Sequence, residues 1–213
     1  MLSRVADSIY WLNRYVERAE NVSRFVEVNL NLLLDVPGGG GLTQQWASIL
    51  TTTGDRELYE QNYGEITPDQ VLRFLTFDAS YSNSILSCVQ SARENARSVR
   101  EIISSEMWEQ VNGFYLWLKA AAQENLSADK LYSVYPEVKL ASHLFAGVMD
   151  ATMAHNEGWH FGSLGRLLER ADKTARILDV KYFILLPSVC LLYTSPSPRD
   201  STLDLVCRLL LEK

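Results

Sequence analysis

The sequence predicts an all-α fold, a multi-helix bundle with long central helices, and three observations carry that prediction. Apolar residues recur at steps of three and four along most of the 213 positions, the spacing that gathers them on one face of a helix. Only six prolines and eleven glycines interrupt the chain, so long elements can persist. Nowhere do β-branched residues alternate with polar ones between turn signals, as a half-buried strand requires. An apolar fraction of 47% with 22% charged residues is ordinary globular composition, which excludes a disordered, collagenous or disulfide-scaffold chain.

The elements follow in order. Ile9, Leu12, Val16, Ala19, Ser23, Val26, Leu30 and Leu33 form one continuous face of a helix covering the first 36 residues. A second stripe, Trp11, Tyr15, Arg18, Val22, Phe25 and Leu32, widens that surface beyond a coiled-coil seam, so this helix belongs at the centre of the bundle. Pro37 and the glycines at 38–41 end it and form a linker rather than a phosphate loop, because no Gly-Lys-Ser/Thr follows. Positions 44–50 read as a short helix and 53–67 as a connection with turn residues Gly54 and Gly64. Thr67-Pro68-Asp69-Gln70 reads as an N-cap, a proline at the first helical position and a Gln reaching back to the cap.

A helix over 80–103 is predicted from Ile85, Val89, Ala92, Ala96, Val99 and Ile103, and Ser105 is the expected cap of the next, at 106–123. Trp108, Val111, Tyr115 and Leu118 form the stripe of that helix. Pro136 opens a helix reaching about 154 through Val138, Ala141, Leu144, Phe145, Val148 and Met149. After a turn at Asn156-Glu157-Gly158 the last strong helix runs over 161–186. The five tryptophans sit within or beside these patterns and are expected in the core.

Charge and composition narrow the function classes. A net charge of -6 and a pI near 5.1 argue against a nucleic-acid partner, since neutralising phosphates takes a basic surface. Cys88, Cys190 and Cys207 are too few and scattered for a disulfide framework, which fits a reducing cytoplasm, and no CxxC is present to bind zinc. His155, Glu157 and His160 match neither HExxH nor a Glu-x-x-His repeat, so no metal site and no cofactor are expected; His160 reads as a turn residue. No apolar run approaches the roughly 18 residues of a membrane span, and the N-terminus is an amphipathic helix rather than a signal peptide. No nucleophile elbow, Ser-His-Asp order or catalytic cysteine context occurs.

Shifting the chain by 152 positions lays 13–28 on 165–180 with six identities in sixteen: Arg14/Arg166, Glu17/Glu169, Arg18/Arg170, Ala19/Ala171, Arg24/Arg176 and Val28/Val180. Periodicity alone explains apolar matches but not a shared Arg-x-x-Glu-Arg-Ala-acid frame, which predicts an internal duplication. Both copies run into a leucine-rich stretch ending in proline, at Pro37 and Pro187. The composition changes abruptly after that point, so 1–188 is expected to be the helical domain, its second repeat truncated, and 189–213 a non-native or disordered tail.

The distinctive polar residues are arginines and their acidic neighbours. Arg14, Glu17 and Arg24 share a stripe on the first helix, Arg166, Glu169 and Arg176 on the last, and Arg93, Arg97 and Arg100 line a middle helix. Arginine outnumbers lysine fourteen to six, and its planar fork suits bidentate pairing with carboxylate or phosphate. Two interpretations stand: an interhelical salt-bridge lattice, or an anion pocket. Arg18 and Arg170 stand apart, each phased into an apolar stripe, where an unpaired guanidinium would cost several kcal/mol. Glu17, Arg18, Glu169 and Arg170 are therefore expected to form one partly buried, charge-paired cluster. Arg14, Arg24, Arg166 and Arg176 should flank it, with the Arg93 to Arg100 stripe nearby.

Positions 1–11, 15–24 and 165–182, holding the two Glu-Arg blocks, resemble the alpha-E family of bacterial helical domains named for that motif, over residues 1 to about 188. The family's greater typical length implies a truncated member. Its genes tend to lie beside those of a circularly permuted ATP-grasp ligase and a transglutaminase-like protease. The resemblance thus implies a non-catalytic partner role in ATP-dependent amide-bond formation or peptide tagging. The alternative is an enzyme in its own right, with Glu17 and Glu169 as acid or base and the arginines holding an anionic substrate.

Overall fold

Helix α1 (Ser3–Asp35) sets the architecture, because its apolar face is long enough to serve two neighbouring parts of the core. It is followed by α2 (Leu42–Thr53), α3 (Arg56–Tyr63), α4 (Pro68–Phe77), α5 (Ile85–Ser98), α6 (Ser105–Gln123), α7 (Val134–Thr152) and α8 (Glu157–Leu185). This is a computed structural model, which describes residues 1–35, 42–124 and 131–185; among them the chain is all-α and contains no strand. Met1–Arg176 forms one compact unit, and Ile177–Lys213 a second that takes in the last turns of α8.

Ile9, Leu12 and Val16 on the first half of α1 are buried with Ala92 and Ala96 of α5, Met107 and Val111 of α6, and Phe145 and Met149 of α7. Ala19, Val22 and Val26 on its second half meet Trp46 and Leu50 of α2, Tyr59 of α3, Phe74 and Leu75 of α4, and Val89 of α5. Each fully buried Ile, Leu or Val of this stripe contributes roughly 1.5–3 kcal/mol through removal of apolar area from water. The central position expected of α1 is thus what the fold shows.

Local chemistry moves several element ends. The stretch expected as a connection holds α3, which buries one side chain, Tyr59, and pairs Arg56 with Glu60 one turn on at 2.7 Å. A helix that buries a single side chain leaves no apolar stripe, so the sequence carried no clear helical period there. Thr67 makes no side-chain cap bond, and Gln70 instead accepts from Tyr59 Oη at 3.4 Å. The pattern over 80–103 overran its helix at both ends. Ser84 caps α5 by accepting from the Ser87 N–H at 3.1 Å, while Val99 and Ile103 stay buried beyond its C-terminus. Ser104, not Ser105, caps α6, accepting from the Met107 N–H at 3.1 Å.

Helix α7 starts at Val134, with Pro136 inside its first turn, where an N–H would have no intrahelical acceptor anyway. Helix α8 starts at Glu157 because Asn156 accepts from the Gly158 N–H at 2.9 Å and, through its carbonyl, from the His160 N–H at 3.1 Å. His160 is therefore a helical rather than a turn residue. Trp46 is core, but Trp117 is exposed, contrary to expectation. The expected linker at 38–41, Cys190, Cys207 and the expected tail at 189–213 lie outside the described residues.

Candidate functional site

The site begins with glycines. Gly158, Gly162 and Gly165, spaced four and three apart, put a side-chain-free stripe of α8 against α1. A Cβ on Gly165 would lie 2.3 Å from the Tyr10 carbonyl oxygen, and one on Gly162 would lie 2.7 Å from Asn13 Nδ2. The two backbones therefore touch. Among the described residues, the five hydrogen bonds between α1 and α8 join residues 151 to 155 positions apart, so the helices run parallel, side by side. One turn beyond Gly165 stands Glu169; one and two turns beyond Tyr10 stand Arg14 and Arg18.

At that closest approach the helices exchange side chains. Arg18 donates from Nε to Glu169 Oε1 at 2.7 Å and from Nη2 to Oε2 at 3.0 Å. Arg170 donates to Glu17 in the same bidentate way, at 2.7 and 3.1 Å. Arg14 Nε adds a third donor to Glu169, 2.8 Å from Oε2, and Lys173 Nζ stands 4.0 Å from Oε1. The Glu169 side chain is 0% exposed and that of Arg18 15%, whereas Arg170, paired with nearly buried Glu17, is 53% exposed.

Burial alone would raise the pKa of Glu169, but the hydrogen bonds and charge of Arg18, then Arg14, outweigh it and hold the carboxyl below its ordinary range. Burial lowers Lys173, and the Glu169 charge offsets that only in part. The adjoining Cys88 thiol, fully buried, is pushed up to about 12 by burial, which leaves it protonated and unreactive at neutral pH. Glu20 completes the centre, taking Arg24 from its own helix and His143 Nε2 from α7 at 3.0 Å.

Two adjacent Glu-Arg pairs, one on each of two touching helices, are the defining feature of the site. A family model described as a predicted alpha-helical domain with a conserved ER motif matches residues 1–210. The chain belongs to the Alpha-E family. This Alpha-E chain is 25% identical over 183 residues to an uncharacterized protein of Mycobacterium bovis, a match covering 78% of this chain and 21% of that protein. An uncharacterized protein of Mycobacterium tuberculosis matches with the same identity and coverage. The chain thus spans about a fifth of the length of the curated relatives it matches. No solved structure matches it.

Of the residues expected at the Alpha-E site, Glu17, Arg18, Glu169 and Arg170 come together, and Arg14 joins them directly. Arg24 and Arg176 flank them but are held by acids one turn away on their own helices, Glu20 and Asp172. Arg166 is half-buried and makes no ion pair among the described residues. The Arg93 to Arg100 stripe shares no partner with the centre. Arg93 donates to Asn112 Oδ1 of α6 at 2.8 Å and lies 5.1 Å from the Tyr115 ring centroid, Arg100 sits 4.6 Å from that of Trp108, and Arg97 pairs with Glu94. Spacing showed that these arginines share a face; it carried no information on which helix that face meets.

Sequence reasoning also missed Asn83, whose Oδ1 accepts from Arg18 Nη1 at 2.8 Å, and the glycine stripe. The signal for the stripe was present as Gly158-x-x-x-Gly162-x-x-Gly165, at the spacing of one helix face. Chemically the centre is a locked ion-pair network: both Glu-Arg carboxylates are spent on forks, and no group of three potential metal ligands exists among the described residues.

The depressed pKa of Glu169 fixes the sign of a pH effect. Because the folded value lies below the unfolded one, its contribution is fully present above about pH 4.3 and is lost as pH falls through the folded value. The melting midpoint is expected to drop on acidification through that range. Glu169→Gln should flatten the drop, and calorimetry from pH 7 to 3 checks this; an equal slope in both proteins would contradict it.

Proposed function

We propose that the Alpha-E domain is a non-catalytic helical partner, an accessory domain of a cytoplasmic ATP-grasp peptide ligase and transglutaminase-like system acting in amide-bond formation or peptide tagging. The observation that carries the non-catalytic half of this proposal is the saturation of Glu17 and Glu169. A general acid or base must reach a substrate proton, whereas Glu169 is fully enclosed and ringed by three cations. Nothing in the geometry favours the alternative in which these carboxylates catalyse. The ATP-grasp ligase and transglutaminase-like protein come from the family resemblance alone.

The partner half is supported by α8, which turns Phe161, Leu164, Leu167 and Leu168 outward beside a groove of about 710 Å³. A contiguous apolar face on a folded domain marks a surface that something covers. We also read α1 and α8 as two copies of one unit: their parallel course, the reciprocal exchange and contacts close to the 152-position shift all support this. Under that shift Phe161, Leu164 and Leu168 take the places of Ile9, Leu12 and Val16, the core stripe of α1. The open face of α8 is then a core face, and the ligase is the occupant proposed for it.

Affinity purification of the tagged chain from its host, with the ATP-grasp ligase identified in the eluate, tests this. Leu164→Glu with Leu168→Glu is expected to abolish recovery of the ligase while moving the melting midpoint by no more than a few degrees, since both side chains are exposed. Robust turnover by the isolated domain would overturn the proposal.

A further inference from the structure

A polar cavity of about 320 Å³ lies between α1 and the start of α5, apart from the exposed face of α8. Its walls include Arg18, Asn83 and four serines, Ser80, Ser82, Ser87 and Ser91. None of its nine lining residues is acidic, and Arg18 alone carries a charge. The volume corresponds to roughly ten waters, room for a small organic acid, and sits at the low end of ligand pockets.

The donors of Arg18 can be counted. A guanidinium has five N–H groups. Nε and one Nη2 hydrogen are spent on Glu169, and one Nη1 hydrogen on Asn83. One N–H on each Nη remains unspent, so Arg18 can still donate to an anion. Glu169 fixes the plane of the fork from behind, and the Tyr15 ring, 5.5 Å away, supports it. The Glu169 charge does not cancel the field, because Arg14 and Lys173 share it. Asp78, the nearest acid to the serine wall, is engaged by the Ser80 N–H and hydroxyl and by Tyr63 Oη. The hydroxyls of Ser82 and Ser91 have no hydrogen-bond partner among the described residues and can donate into the cavity.

We infer that this cavity binds a compact oxyanion, a carboxylate or a phosphate on a small organic group, through the two free Nη hydrogens of Arg18 with Ser82 and Ser91 as further donors. Glu169 is the positioning residue that presents the fork. In this arrangement the buried Glu-Arg pair makes a rigid anion receptor out of a side chain that would otherwise sweep through solvent.

The test is calorimetric titration of the full chain with inorganic phosphate and, separately, with N-acetylalanine, at low ionic strength. Saturable binding of at least one probe, one per chain and on the order of millimolar or tighter, is expected. Binding of phosphate alone identifies a phosphate ligand, of N-acetylalanine alone a carboxylate ligand, and of both the shared oxyanion chemistry. Asn83→Asp keeps an acceptor for Arg18 Nη1 but puts a negative charge in the wall, and should weaken binding by about tenfold or more with the melting midpoint retained. Ser91→Asp should do the same without touching Arg18, and Arg97→Ala, on an exposed side chain, should change nothing. Saturation by neither probe, or undiminished affinity in both aspartate variants, would overturn the inference.

Discussion

Replacing Glu169 with alanine is expected to destabilise the domain by about 3–5 kcal/mol, the cost of stripping one partner from a buried ion pair. For a chain of this size that corresponds to a melting midpoint lower by roughly 6–20 °C. The upper part of the range is expected, because one carboxylate serves Arg14, Arg18 and Lys173, and after its removal Lys173 alone of the three keeps an acid among the described residues, Asp172 at 3.7 Å. Arg18→Ala should fall at the lower end, since Glu169 keeps Arg14 and Lys173. Glu17→Ala should cost less still, on the order of 1–2 kcal/mol, because its partner Arg170 is half exposed and water screens what is left. Urea unfolding of the three variants checks this ordering, and a loss below about 1 kcal/mol for Glu169→Ala would contradict a buried network.

Gly165→Ala should be nearly as damaging, though it adds a single methyl group. The new Cβ would meet the Tyr10 carbonyl oxygen at 2.3 Å and the Tyr10 carbonyl carbon at 3.1 Å, and backbone cannot swing aside as a side chain can. Helix α8 must therefore move outward, taking Glu169 with it one turn away. A loss of about 3 kcal/mol is expected even after the better helix propensity of alanine is counted. Gly158→Ala is the control. Its tightest neighbour is the Met153 methyl at 2.8 Å, the end of a flexible side chain, and its cost should stay within about 1 kcal/mol. Because Gly165→Ala and Glu169→Ala damage one network, the double variant should lose less than the sum of the two.

The long helices were legible because each buries a whole stripe, and a stripe leaves a period in the sequence. The core residues Ile9, Leu12, Val16, Ala19 and Val26 of α1 were all named by spacing alone. The pairing of Glu17-Arg18 with Glu169-Arg170 was legible for another reason: the two blocks repeat, and a guanidinium phased among apolar residues demands a carboxylate. Arg170 shows where that reasoning weakens. It is phased like Arg18 yet is 53% exposed, because phase says which residues share a face and nothing about whether that face is covered. The same gap misplaced the Arg93 stripe, whose partners Asn112 and Trp108 lie on α6. Asn83 and the cavity serines had no signal at all, since they belong to the approach to α5 and its first turns, where burial leaves no period.

The two halves of the ion-pair network are made at different times. Arg18 leaves the ribosome about 150 residues before Glu169 does, which at roughly 5–20 residues per second is a wait of about 8–30 s. Over that interval α1 can pack on α5, α6 and α7 as they emerge, but Glu17 and Arg18 have no opposite charge from α8 to meet. Closing the network brings together groups from the two ends of the Met1–Arg176 unit, so it depends on a non-local encounter of the kind that slows folding. A nascent chain arrested just short of Glu157 should therefore hold its helices yet yield readily to protease around α1, and gain protection only once α8 has been added.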